Sequence, residues 1–265
     1  MSIFEDTLDH YTMHNELTEN NIYSKLIFAL LAILLNLITG SPIVPLIIFL
    51  ICSFLILFVA KIPLRFYVTF MAIPIGFAVL SGIFLAFLGT GEQIWSLGFF
   101  GIGLTKGGIN QALLVFARVL GGVAALGFLI LTTPMNRIFA VFHDLHVPAI
   151  ITDLAILMYR YIFLFLDVTA TMYNSQRTRL GYHNYMSWMN CLASLAGMVF
   201  IRTWEQGEIS YKALASRGYN GRLNMIREGD SISDMSIKDW LLIIIFVVVI
   251  AVAIYCLGTA NLYPV

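Results

Sequence analysis

Residues Trp240 to Gly258 read WLLIIIFVVVIAVAIYCLG, a run with no charged side chain. Its length matches the roughly 20 apolar residues an α-helix needs to cross bilayer hydrocarbon. Lipid supplies no hydrogen bonds, so every backbone N–H and C=O in such a run must be satisfied within its own helix. The rest of the chain has the same character. Of 265 residues, 60% are hydrophobic and 11% are charged, and the mean hydropathy is +0.88. A soluble domain carries roughly 25% charged residues. Four further stretches qualify as spans: Ile22 to Gly40, Ile43 to Ala60 after the Gly40-Ser41-Pro42 break, Phe66 to Thr90 with a kink expected at Pro74 and Gly76, and the glycine-rich Ile109 to Thr132. The expected fold is all-α, a polytopic membrane protein of about five transmembrane helices.

Between Thr133 and Asp239 apolar runs alternate with regularly spaced charges, which fits amphipathic helices. The expected organisation is therefore an arm over 1–21, a four-helix membrane region over 22–132, a cytoplasmic amphipathic domain over 133–239 and a last membrane helix within 240–265. Ile150 to Leu166 is apolar, yet Asp153, Arg160 and Asp167 recur at helical intervals that predict a polar stripe. Trp188 to Ile201 is equally mixed, and its Ala193, Ser194, Ala196 and Gly197 permit close helix packing in water or lipid. Trp204 to Ala215 reads as an amphipathic helix, with Trp204, Tyr211, Leu214 and Ala215 sharing a face with Glu208 and with Gly218 as a terminating residue.

Lys and Arg are retained on the cytoplasmic side. Five spans with 133–239 inside place Lys25, Lys61, Arg65 and the set from Arg137 to Lys238 in the cytoplasm, with Lys106 outside. The N-terminus is then cytoplasmic. Net charge is zero because an acidic arm (Asp6, Asp9, Glu16, Glu19) offsets a basic centre. Cys52, Cys191 and Cys256 form neither a CxxC pair nor a disulfide framework and read as packing residues. The polar, acidic first twenty residues lack the basic and apolar regions of a cleavable signal peptide.

Against this apolar background stand two basic signatures, Gln176-Arg177-Thr178-Arg179-Leu180-Gly181 and Ala215-Ser216-Arg217-Gly218-Tyr219. Arginine at a helix C-terminus is favoured by the dipole and offers a planar fork of donors to carboxylates or carbonyls of a partner. Taken singly, each is also what a capped helix with a solvated arginine looks like. These signatures follow Thr132-Thr133-Pro134, Arg137, Leu145-His146-Val147-Pro148 and Met158-Tyr159-Arg160-Tyr161. The ordered set, across about 109–222, resembles the transmembrane T component of energy-coupling factor (ECF) transporters, most of all the CbiQ branch serving cobalt and nickel. The resemblance implies a non-catalytic subunit of an ATP-driven uptake transporter. Its two Ala-Arg-Gly-type motifs would dock into two cytoplasmic ATP-binding subunits, and its membrane helices would hold a substrate-binding S component, with a small accessory membrane subunit as a further partner. Carried over onto this chain, the docking residues are Ser216, Arg217 and Gly218 at the second motif and Arg177, Arg179 and Gly181 at the first. An extra leucine there leaves either arginine eligible, with Arg179 favoured.

No GxxxxGK[ST] loop is present, and Gly101-Ile102-Gly103 lacks the rest of a dinucleotide fingerprint, so the energy must come from another chain. Neither GxSxG nor HExxH suggests a hydrolase. No cofactor and no nucleic-acid partner is expected. Asp6, Asp9, His10 and His14, and His143 with Asp144 and His146, are the places where a metal would be sought. Both are read as solvated or capping residues. Arg118, inside the fourth span, costs about 3 kcal/mol to insert and calls for a structural ion pair. Two other classes stay in view: a metal-dependent membrane enzyme, which needs converging histidines, and a secondary transporter, which needs broken helices around a midplane ionisable site.

Overall fold

The computed structural model describes residues 12, 15, 17, 20–88, 93–96, 103–145, 147–219 and 236–257. Eight α-helices carry the chain among these residues. They are α1 (Ile22–Ile38), α2 (Ile43–Phe54, continued by a π-helical turn Leu55–Val59), α3 (Leu64–Leu88), α4 (Lys106–Thr132), α5 (Met135–Asp144), α6 (Ala149–Thr178), α7 (Tyr185–Ser216) and α8 (Ile237–Leu257). Two short antiparallel strands, β1 (Gln93–Ser96) and β2 (Gly103–Thr105), occupy the α3–α4 connection. They are an addition to the sequence reading, too small to alter an all-α class. Two compact units result, one within 136–229 and the other formed by 7–135 together with 230–265.

The second of these units carries the apolar helices. Leu64–Phe87 and Gly107–Thr132 are long and apolar enough to cross a bilayer, and Ile22–Ile38, Ile43–Val59 and Asp239–Tyr255 are shorter apolar helices. Helix α3 runs unbroken through Pro74 and turns Ile73, Phe77 and Phe84 outward, as suits a lipid-facing surface. Each start has a local cause. Asn21 accepts the Tyr23 N–H at 2.9 Å before α1, Thr105 Oγ1 accepts the Gly108 N–H at 3.2 Å before α4, and Pro45 sits in the first turn of α2, where its missing N–H costs nothing.

Contacts along α4 fix the direction of its neighbours. Lys25 Nζ donates to the Thr132 carbonyl (3.0 Å) and Arg118 donates to the Thr39 carbonyl (2.7 Å), so α1 runs antiparallel to α4. These contacts are about 21 Å apart on each helix at 1.5 Å per residue. Helix α2 then turns back. Its Pro45 carbonyl meets Gly121, and its Ser53 hydroxyl reaches Tyr67 near the start of α3 (2.6 Å), which lies close to the level where Phe70 meets Gly127. The turn Thr39–Pro42 therefore reaches the middle of α4. Helix α8 closes the unit against the first helices, with the Phe28 ring 4.4 Å from Phe246 and 5.1 Å from Phe128.

Arg118 has a different partner from the carboxylate its burial called for. It caps the C-terminal end of α1 through the Thr39 carbonyl, one of the orphan acceptors every helix end leaves. Asn36 Nδ2 donates to the Arg118 carbonyl at 3.0 Å, and Gly121 and Gly122 pack against that amide. The charge is accommodated by helix-end carbonyl density, which the sequence does not display.

The other unit contains a helical hairpin. Gln176 Nε2 donates to the Cys191 carbonyl at 3.2 Å, and Tyr161 hydrogen-bonds Ser210. These pairings make α6 and α7 antiparallel. Helix α7 is far longer than the Trp204–Ala215 segment and absorbs Trp188–Ile201. The small residues there do not break it, since Ala is the strongest helix former and one Gly costs about 1 kcal/mol. Helix α6 likewise absorbs Ile150–Leu166. Its expected polar stripe is divided, because Asp153 is buried near the N-terminal end, where the helix dipole favours a carboxylate, while Arg160 and Asp167 are exposed. Met158, Tyr161, Ile162, Phe165, Leu166 and Thr203 line an open apolar groove of about 430 Å³ between the two helices.

Candidate functional site

Both basic signatures fall at helix C-termini and fold the same way. At the end of α6, Arg179 is the cap (φ −89°, ψ 15°) and Leu180 follows in the left-handed region (φ 57°). The Leu180 N–H donates to the Arg177 carbonyl (3.1 Å) and the Gly181 N–H to the Gln176 carbonyl (3.0 Å). At the end of α7, Arg217 is the cap (φ −92°, ψ 9°) and Gly218 is left-handed (φ 76°). The Gly218 N–H donates to the Ala215 carbonyl and the Tyr219 N–H to the Leu214 carbonyl, both at 3.0 Å. Each end is a Schellman closure, which consumes the last orphan carbonyls with the chain's own N–H groups.

Matched position by position, Arg179 corresponds to Arg217, Thr178 to Ser216 and Leu180 to Gly218. Arg177 corresponds to Ala215. The two glycines of the signatures are therefore not equivalent. Gly218 supplies the left-handed residue, and open space surrounds the β-carbon it lacks. Gly181 instead permits a close approach, because a β-carbon there would lie 2.6 Å from Cys191 Sγ and 3.0 Å from the Gln176 carbonyl oxygen. The extra leucine displaces glycine from the left-handed position, where a non-glycine residue costs roughly 1–2 kcal/mol.

The α6 end is braced from α7. Gln176 Oε1 accepts from the Tyr182 hydroxyl (2.6 Å), and Ser187 Oγ donates to the Gly181 carbonyl (2.7 Å). Cys191 thus packs against this turn, and Cys52 is fully buried in the membrane unit. Cys256 contributes no described side chain.

Arg177, Arg179 and Arg217 are all exposed. Among the described residues the side chains of Arg179 and Arg217 make no hydrogen bond or ion pair. Along the last turns of α7, from Trp204 to its end, the surface carries aromatic groups. Trp204 donates to Glu208 (3.3 Å), Glu208 pairs with Lys212 (3.5 Å), and Trp204 and Tyr211 stand mostly exposed. An exposed ion pair of this kind adds at most about 1 kcal/mol. Aromatic residues and arginine are the types that concentrate binding energy at protein interfaces. The face that Trp204 and Tyr211 share is largely open.

The two arginine caps lie at opposite ends of α7, because the α6 end folds against its first turns. Along the helix that separation is about 45 Å at 1.5 Å per residue. The sequence shows Leu180 as an extra residue between Arg179 and Gly181, but not that it takes the left-handed position. Among the described residues no group of three or more His, Cys, Asp or Glu could hold a metal. His10, His14 and His146, with the side chain of His143, lie outside the described residues, as do Asp6, Asp9, Glu16 and Glu19.

Comparison with known proteins places this architecture. The family model described as cobalt transport protein, CbiQ, matches residues 14–226. An uncharacterized protein of Methanocaldococcus jannaschii is 39% identical over 250 residues, covering 94% of this chain and 92% of its own. The cobalt transport protein CbiQ of Salmonella typhimurium is 28% identical over 58% of this chain and 71% of its own. The energy-coupling factor transporter transmembrane protein EcfT of Streptococcus thermophilus is 28% identical over 75% of this chain and 78% of its own. The chain belongs to the CbiQ family and is a membrane component of the ECF transporter type, in a family whose members are not themselves catalysts.

Proposed function

We propose that this chain is the energy-coupling subunit of an ATP-driven uptake transporter for cobalt or nickel. One observation carries the reading: two helix ends with the same closure present free arginines at opposite ends of one rigid helix. A subunit driven by two motors needs two such grips held apart. Arg179 and Arg217 would each offer a planar fork of donors to carboxylates or carbonyls in a groove of an ATP-binding subunit. Closure of the ATPase pair on ATP would move the two ends relative to each other. The long helices α6 and α7 would pass that motion to the membrane helices, which hold a substrate-binding S component and a small accessory membrane subunit. The coupling region and the N-terminus face the cytoplasm in this scheme, as the distribution of Lys and Arg favours.

The printed name of a relative, the cobalt transport protein CbiQ of Salmonella typhimurium, supports cobalt as the cargo. Similarity to EcfT of Streptococcus thermophilus supports a second reading, a T component serving vitamin-specific S components. Co-purification decides between them through the S component recovered. The coupling role is tested by affinity purification in mild detergent of the wild-type chain and an Arg179→Ala/Arg217→Ala variant. An ATP-binding subunit recovered with the first and lost from the second is the expected result. Equal recovery with both would remove the assigned role.

A further inference from the structure

The two arginine caps share a backbone but not a surface. At the α7 end the left-handed position holds Gly218, the residue that conformation favours. At the α6 end the same position holds Leu180, which is 74% exposed. A leucine there is unfavourable twice over, since its β-carbon opposes the left-handed backbone and its side chain is left in water. Folding of this chain gains nothing from it.

Leu180 is nevertheless held firmly. Its carbonyl accepts from the His183 N–H (3.4 Å) and lies 3.2 Å from His183 Nδ1. The following Gly181 is packed on Cys191 and bonded to Ser187. The backbone that carries the side chain is fixed, and Arg177 and Arg179, close by in sequence, are exposed. An apolar group on a preorganised turn, with arginines adjacent to it and three residues before it in sequence, has the form of an interface anchor, because little backbone ordering entropy is left to lose on binding.

We infer that the two docking ends are not interchangeable: the α6 end inserts Leu180 into an apolar pocket, with acidic residues at its rim, on the ATP-binding subunit, whereas the α7 end grips through Arg217 without an apolar anchor. This inference rests on the coupling role proposed above. It commits the occupant to the ATP-binding subunit because Leu180 directly adjoins Arg179, the cap equivalent of Arg217.

The test uses the assembled complex, co-expressed and purified through this chain in an Arg217→Ala background, so that retention of the ATP-binding subunit depends on the α6 end. Leu180→Gly and Leu180→Asn, both compatible with a left-handed backbone, should leave the melting temperature of the chain equal or higher. Each should lower recovery of the ATP-binding subunit about fivefold, as loss of an apolar anchor does. Arg179→Ala in the same background serves as the reference. Full recovery with both Leu180 variants, where Arg179→Ala loses the subunit, overturns the anchor and leaves the coupling role standing. Undiminished recovery with all three variants defeats the coupling role and the anchor together. Weaker retention on phospholipid vesicles with full ATPase recovery would assign Leu180 to the lipid surface and likewise overturn the inference.

Discussion

The C-terminal end of α4 and the C-terminal ends of α6 and α7 solve one problem in opposite ways. Every helix leaves its last carbonyls without partners. At α4 the partners come from far away in sequence: Asn15 Nδ2 donates to the Leu131 carbonyl (3.1 Å) and Lys25 Nζ to the Thr132 carbonyl (3.0 Å), with Thr132 and Thr133 buried. At α6 and α7 the chain's next N–H groups do the work, and the arginines beside them are left over. A basic residue consumed by a helix end belongs to folding. One spared by a self-closing end is available to another molecule.

The largest expected effect lies on the folding side of this contrast. Gly121→Leu would drive a side chain into the Pro45 carbonyl, only 2.7 Å from a β-carbon, and into Asn36 Oδ1 at 3.1 Å. A loss of about 3 kcal/mol is expected from such overpacking, read as a fall in monodisperse protein and melting temperature in detergent. Lys25→Met should come next. It keeps the volume but strands the buried Thr132 carbonyl, at a cost of about 2 kcal/mol. A wild-type melting curve for that variant would break the comparison, since α4 would then need no distant cap.

Effects on the self-closed ends should be smaller and local. Gly218→Ala places a β-carbon on a left-handed backbone in open space, so strain alone acts, about 1 kcal/mol. Faster amide exchange at Gly218 and Tyr219, with the rest of α7 unchanged, is the expected signature. Smallest of all, Arg179→Ala/Arg217→Ala should change stability by less than about 0.5 kcal/mol, because both side chains are solvated. A clear drop in melting temperature would mean that these arginines serve folding after all, which would erase the distinction between the two kinds of helix end.

The sequence read the apolar helices well because lipid imposes its demand locally: an uninterrupted apolar run is needed wherever the backbone crosses hydrocarbon, and the runs that begin at Phe66 and Trp240 fold as helices without reference to any other residue. It read α6 and α7 poorly because mixed polarity describes a helix half in contact with something, and neither Trp188 nor Ile201 declares where that something lies. The first basic signature suffered from the opposite difficulty. Its Gly181 stands where the Cys191 thiol leaves no room for a β-carbon, and the left-handed turn falls to Leu180.

By itself, then, the sequence determined that this is an all-α membrane protein of the CbiQ family with two basic helix ends, since hydropathy and motif order are properties of consecutive residues. The tertiary structure decided which groups meet: Arg118 with the end of α1, Lys25 and Asn15 with the end of α4, and Arg179 in the place of Arg217. Those pairings depend on distances between residues far apart along the chain, or on a single backbone angle, and neither is encoded in the identity of neighbouring side chains.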